Sequence, residues 1–241
     1  MSHALIEQLK KQQTLFHPVV PFETWREKLV ALDLSVTNTE LTDSMLGNIH
    51  LFSEWVHKKI TEANARYAIG GYAEHRTVYS KSRVFDAIKG REPRRLHLGV
   101  DIWGLEGTAV IAPLDGIVHS FAFNNQPGDY GATIILSHRL ERQSFFTLYG
   151  HLSQASIQNL QEGKHIRSGE HFASLGIPEE NGQWPPHLHF QIIETMDGWK
   201  GDYPGVCPFS EKDNWLANSP DPDLILQLNQ YLQGLTPAAY L

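Results

Sequence analysis

The sequence predicts a mainly β protein, on three observations. From Leu96 onward the chain is a succession of short runs rich in Val, Ile, Thr and Phe, among them "TAVIAPLDGIVHSFAF", "GATIILSHRL", "SFFTLYGHL" and "HLHFQIIE". Gly, Pro, Asn and Asp punctuate those runs at the spacing of tight connections, with hairpin signals at "PLDG" and "LERQ". The texture also changes at one place, after Tyr67, where "AIGGYAEHRTVY" introduces glycines. The 241 residues suffice to bury a substantial core.

Residues 1–66 read differently, as a helical region. "TWREKLVALDL" and "TDSMLGNIHLFSEWVHKKITEANARY" carry apolar residues three and four apart, with Thr24 and Thr42 or Asp43 placed as N-caps. His50 and His57 lie seven apart on one face of the second segment and read as packing or solvent-facing residues. The β-rich domain is expected over 67–205, and an extension over 206–241 ends in an amphipathic helix after the Pro-Asp-Pro break.

Composition excludes several functions. The formal charge of −7 leaves no basic footprint for nucleic acid. Its local exception, "KGREPRR" from Lys89 to Arg95, reads as a solvated loop leading into a strand, the alternative being an anchor for an anionic ligand. No apolar run is long enough to span a bilayer, and the charged first turns of "MSHALIEQLKKQQTLF" do not resemble an export signal. As written the chain is therefore expected in the cytoplasm, or in the periplasm or outside the cell if a leader is removed. Cys207 stands alone, so an internal disulfide and a cysteine-rich zinc site are both excluded.

Chemistry concentrates in three blocks. "HLGVDIWG" offers His97 and Asp101, "TLYGHLS" offers His151, and "GQWPPHLHFQIIE" offers His187 and His189. In an extended strand residues of the same parity share a face, so His187 and His189 stand side by side, and His97 and Asp101 can both face one point. His119, His138, His165 and His171 have no partner at ligand spacing and read as structural. Two imidazoles and a carboxylate make a three-ligand zinc site with a fourth position open to water, whose pKa the metal lowers to roughly 7. Two further histidines can then take and give protons. Spacing collects these residues without dividing ligands from catalysts. The sequence contains no His-Glu-x-x-His helix, nucleophile elbow, Walker loop or dinucleotide fingerprint.

"HLGVD", "YGHL" and "PPHLHFQ", in that order and with Gly-rich spacers between them, resemble the lysostaphin and LytM type of zinc metallopeptidase, over about residues 70–205. The resemblance implies an antiparallel β-sandwich of the duplicated hybrid motif type and one Zn2+ per chain. It implies His97, Asp101 and His189 as zinc ligands and His151 with His187 as the catalytic pair. The implied reaction is hydrolysis of peptide bonds in peptidoglycan-derived or glycine-containing peptides, with a peptide or muropeptide as partner and neither nucleic acid nor membrane insertion. A non-catalytic scaffold of the same fold that binds a partner is the alternative. A carrier domain is a third reading, but "APLDGIV" lacks the lysine that attachment requires. The N-terminal helices read as a buttress or dimer surface, or else as a lid contributing Asn64, Glu74 or His75 to the metal.

Overall fold

The computed structural model describes residues 3–76, 78–81, 85 and 91–232. Its helices are α1 (His3–Gln12), α2 (Asp43–Leu46), α3 (Ile49–Glu62), α4 (Lys212–Asn218) and α5 (Asp223–Leu226). Its strands are β1 (Leu29–Leu32), β2 (Tyr67–Gly70), β3 (Arg94–His97), β4 (Val100–Trp103), β5 (Ala109–Ile111), β6 (Gly116–Asn124), β7 (Gly131–Leu140), β8 (Gln143–Leu152), β9 (His165–Ile166), β10 (His171–Ser174), β11 (His187–Ile193) and β12 (Val206–Pro208). The protein is mainly β, as the sequence predicts.

One eight-stranded sheet in the order β1-β2-β4-β11-β8-β7-β6-β9 forms the body, and the pairs β5-β10 and β3-β12 form two small sheets. The main sheet is antiparallel except where β1 runs parallel to β2. Strand alternation splits its residues between two faces. Val100, Ile102, Leu188, Phe190 and Ile192 enter a core that Val110 and Ala173 of the β5-β10 sheet and Leu5 and Leu9 of α1 also fill. The intervening residues Asp101, Trp103, His187 and His189 therefore take the opposite face. There Trp103 and Ala68 pack with Leu34, Phe52 and Trp55 from the N-terminal part.

Three local expectations are corrected. "TWREKLVALDL" is not a helix: Thr24 lies in a turn and Leu29–Leu32 is strand β1. A run of four apolar residues does not distinguish the two periodicities, and pairing with β2 decides in favour of the strand. "LERQ" does close the β7-β8 hairpin, with Leu140 opposite Gln143. "PLDG" instead carries the chain from one sheet to another, since β5 pairs with β10 while β6 pairs with β7 and β9. After the Pro-Asp-Pro break only the four residues of α5 are α-helical among the described residues, and Gln227 ends that turn at φ 50°. Side-chain caps begin two of the helices. The Thr42 hydroxyl accepts from Met45 N at α2, and the Asn48 side chain accepts from His50 N and Leu51 N at α3.

His50, His57, His165 and His171 are exposed and His119 is half-buried. His138 is buried in the sheet, with Nδ1 donating to the Asp115 carbonyl at 2.8 Å and Nε2 2.7 Å from the Thr147 hydroxyl. Burial lowers its pKa to about 4. The unfolded chain takes up this proton near 6.5 and the folded chain only near 4, so stability is complete above pH 6.5 and declines toward pH 4, by at most about 1.4 kcal/mol per pH unit. Urea unfolding of the metal-free protein at pH 7 and pH 5 is expected to show a smaller difference for His138→Gln than for the wild type.

Candidate active site

Strands β4 and β11 pair so that His189 lies opposite Asp101 and His187 opposite Trp103. His97 ends β3, three residues before β4 begins, and the chain between them turns tightly enough to bring its ring against His189, with centroids 4.9 Å apart. A Cβ on Gly99 in that turn would lie 2.5 Å from His189 Cε1 and 2.8 Å from the Phe190 carbonyl. Glycine there is a requirement of close approach. Gly99→Ala is expected to push the His189 ring aside and cost about 1–3 kcal/mol, with weakened metal retention, read by thermal unfolding and metal analysis.

Three donor atoms converge. His97 Nε2 lies 3.0 Å from His189 Nδ1, His189 Nδ1 lies 3.1 Å from Asp101 Oδ1, and His97 Nε2 lies 3.3 Å from Asp101 Oδ1. All three residues are buried. Tautomers follow from what the other ring atoms meet. His97 Nδ1 is 2.9 Å from the Gly71 carbonyl, an acceptor only, so the proton resides on Nδ1 and Nε2 is bare. His189 Nε2 is 3.0 Å from Gln191 Oε1. The orientation of Gln191 is itself fixed, because its Nε2 must donate to the Pro204 carbonyl at 3.3 Å and to Ser219 Oγ at 2.9 Å. His189 Nδ1 is therefore bare as well.

Two bare ring nitrogens and a carboxylate oxygen thus face one another, a donor set that could hold a metal ion. In a tetrahedral zinc site with bonds of about 2.1 Å, neighbouring donors are about 3.4 Å apart. The three separations are close to that value, and the residues fit the metal. Burial opposes ionisation of Asp101, but the His97 ring and the Arg76 guanidinium beside it hold its carboxyl well below the usual range. Burial together with Arg76 lowers His97 to about 4.

His151 and His187 complete the group. β8 carries an extra residue opposite β7, where Ala132 pairs with Leu152 and Ile134 with Tyr149, so Gly150 and His151 together oppose Thr133. His151 takes φ 61° at this bulge, a left-handed conformation that turns its side chain toward the donors. Its ring centroid is 4.0 Å from that of His187. His151 Nδ1 donates to the Asn181 carbonyl at 2.8 Å and His187 Nδ1 to the Pro185 carbonyl at 2.7 Å, leaving Nε2 bare in both. His187 Nε2 lies 3.9 Å from Asp101 Oδ1, and its ring stacks on Trp103 at 5.4 Å. Burial depresses both: His187 to about 4, and His151, with His187 adjacent, well below its ordinary value. At neutral pH both are unprotonated bases. The site opens into a cavity of about 110 Å3 whose walls include Tyr79, Tyr130, Trp184 and Trp199.

Residues 95–201 match the sequence profile of peptidase family M23. The match lies within the β-rich part. An uncharacterized metalloprotease of Haemophilus influenzae is 37% identical to it over 98 residues, which are 41% of this chain and 18% of that protein. A DD-carboxypeptidase/endopeptidase of Neisseria meningitidis is 33% identical over 97 residues, 40% of this chain and 20% of that protein. The chain thus spans about a fifth of the length of these curated relatives. The catalytic domain of lysostaphin from Staphylococcus simulans is 22% identical with a TM-score of 0.40, covering 73% of this chain and 97% of that one. A zinc-containing peptidase from Vibrio cholerae is 21% identical with a TM-score of 0.34, covering 46% and 34%.

Residues that spacing did not single out also build the candidate site. Gln191 orients His189 from two residues along the same strand face, a parity that was available in the sequence. Arg76, Tyr130 and Ser219 carried no comparable signal. Asn64, Glu74 and His75 are each held elsewhere. Asn64 follows α3 at φ 48° and lines a second cavity, Glu74 accepts from Leu34 N and Arg76 Nε, and the His75 ring packs on Phe209 at 5.3 Å. Of "KGREPRR", Lys89 and Gly90 lie outside the described residues. Arg94 and Arg95 belong to β3, where the Arg94 guanidinium sits over the Phe85 ring. Among the described residues no helix is long and apolar enough to cross a membrane.

Proposed function

We propose that this chain is a zinc-dependent peptidase that hydrolyses amide bonds in peptidoglycan-derived or glycine-containing peptides. The observation that carries the reading is the convergence of three bare donor atoms at zinc-ligand spacing, with two unprotonated imidazole nitrogens beside them. Family M23 and the curated names of the two relatives support the reaction class and the peptide substrate. His97, Asp101 and His189 would hold the metal. Zinc supplies a Lewis acid that polarises a carbonyl and makes water acidic near neutral pH.

The remaining steps belong to the protein. Of His151 Nε2 and His187 Nε2, both bare and desolvated, one accepts the proton that the attacking water loses. The imidazole that takes this proton delivers it to the departing amine nitrogen. The Nδ1 hydrogen bonds of the two rings to the Asn181 and Pro185 carbonyls keep them aimed through the exchange. The aromatic walls exclude water and offer flat apolar surface to a substrate of small residues.

The test is mass-spectrometric product analysis of zinc-loaded full-length protein against muropeptides and short glycine-containing peptides. Products that sum to a substrate plus one water are expected. Protein holding about one zinc per chain that leaves the whole panel intact would favour the binding scaffold instead.

A further inference from the structure

Arg76 is the bulkiest of the fully buried side chains, at 1% exposure, and every arm of its guanidinium is engaged. Nε donates to Glu74 Oε2 at 2.6 Å, Nη1 to Asp101 Oδ2 at 2.5 Å and to the Tyr79 hydroxyl at 3.0 Å, and Nη2 to the Gly71 carbonyl at 3.4 Å. That carbonyl is also the acceptor that fixes the tautomer of His97. Glu74 in turn accepts from Leu34 N at 3.0 Å, just past β1. A continuous buried path thus runs from the N-terminal part, through Glu74 and Arg76, to the outer oxygen of Asp101.

A buried ion network of this kind is a poor source of stability, because desolvating three charges offsets most of their attraction. Its geometric consequence is more telling. An unsupported carboxylate rotates about its last bond and can offer a metal either oxygen or both. With Oδ2 held by a charged, directional donor, Asp101 presents Oδ1 alone, aimed at His97 Nε2 and His189 Nδ1. The imidazoles are fixed in the same manner, His97 by Gly71 and His189 by Gln191, so each of the three donors has its own rear support.

We propose that Arg76 is a positioning residue of the M23 site: it fixes Asp101 as a single-oxygen ligand, while Glu74 balances its charge and anchors it to the N-terminal part. This inference rests on the metal-centre reading above. Lysine cannot replace Arg76 fully, because an ammonium lacks the planar fork that reaches Glu74 and Asp101 together.

The test compares full-length wild type with Arg76→Lys, Arg76→Met and Glu74→Gln. It measures Zn2+ affinity by competition with a chromophoric chelator, the visible spectrum of the Co2+-loaded protein, and thermal unfolding without metal. Arg76→Met is expected to bind Zn2+ about 10–100-fold more weakly, with an altered Co2+ spectrum, and Arg76→Lys to fall between it and wild type. Glu74→Gln, whose amide oxygen can still accept from Arg76 Nε, is expected to lower the unfolding temperature but to weaken Zn2+ binding less than Arg76→Met does, which separates the positioning of Asp101 from general destabilisation. Wild-type affinity and spectrum in both Arg76 variants would overturn the inference. Should Arg76→Met not fold, Arg76→Lys and the charge-balanced double variant Arg76→Met with Glu74→Gln decide by the same two readouts. If wild type itself takes up neither Zn2+ nor Co2+, the metal-centre reading fails and this inference with it. Metal uptake by wild type with no effect at Arg76 defeats this inference alone.

Discussion

Replacing Asp101 by alanine is expected to abolish zinc retention and also to destabilise the metal-free protein, by about 3 kcal/mol. The two losses have different origins. Zinc is lost because two imidazoles remain where three donors met, and His97 Nε2 and His189 Nδ1 alone leave the ion to water. Stability falls because the Arg76 guanidinium, 1% exposed, keeps Glu74 but loses its charged contact to Asp101 in a place that water does not reach. Asp101→Asn should separate the effects, since an amide oxygen still accepts from Arg76 but gives up the negative charge. Its unfolding free energy is expected to lie between wild type and Asp101→Ala, while zinc is still lost. Chemical denaturation in the presence of chelator, with metal analysis after dialysis, reads both. An Asp101→Ala protein as stable as wild type would show that the ion network contributes nothing.

His151→Ala and His187→Ala are expected to retain zinc and to lower the rate of peptide hydrolysis by about 10²–10⁴-fold, the usual contribution of a positioned acid or base. Neither side chain supplies one of the three converging donor atoms, and His187 Nε2 is 3.9 Å from Asp101 Oδ1, so the metal has no need of them. His187→Ala also removes the ring stacked on Trp103 and should cost some stability, whereas His151→Ala relieves no strain at φ 61°, because alanine also carries a Cβ there. Comparison of metal content with rate distinguishes the roles. Loss of zinc in proportion to loss of rate would place these histidines among the ligands.

What the sequence disclosed, and what it withheld, follows from the periodicity of strands. His187 and His189 were legible because alternation puts both on one face of their strand whatever the register, and the pairing of β11 with β4 then sets Asp101 opposite His189. His151 was legible only as a histidine beside a glycine. Its direction depends on a bulge, and one extra residue in a strand leaves no mark on composition. Arg76 was hidden because one partner lies two residues before it and the other 25 residues later in another strand, a meeting that only the fold brings about. The misread helix at "TWREKLVALDL" has a similar cause. Leu29–Leu32 satisfies either period, and an interaction 38 residues later in the chain, Leu29 with Tyr67, selects the strand. The extension after 205 was also more closely joined to the site than its polar composition suggested, since β12 pairs with the strand that carries His97 and Ser219 holds Gln191.

Anomalous diffraction at the zinc edge, from crystals of the full chain grown with Zn2+, tests the central claim most directly. One strong peak is expected about 2.0–2.2 Å from His97 Nε2, His189 Nδ1 and Asp101 Oδ1 at once. A peak lying elsewhere, or none in that triangle, would contradict the account.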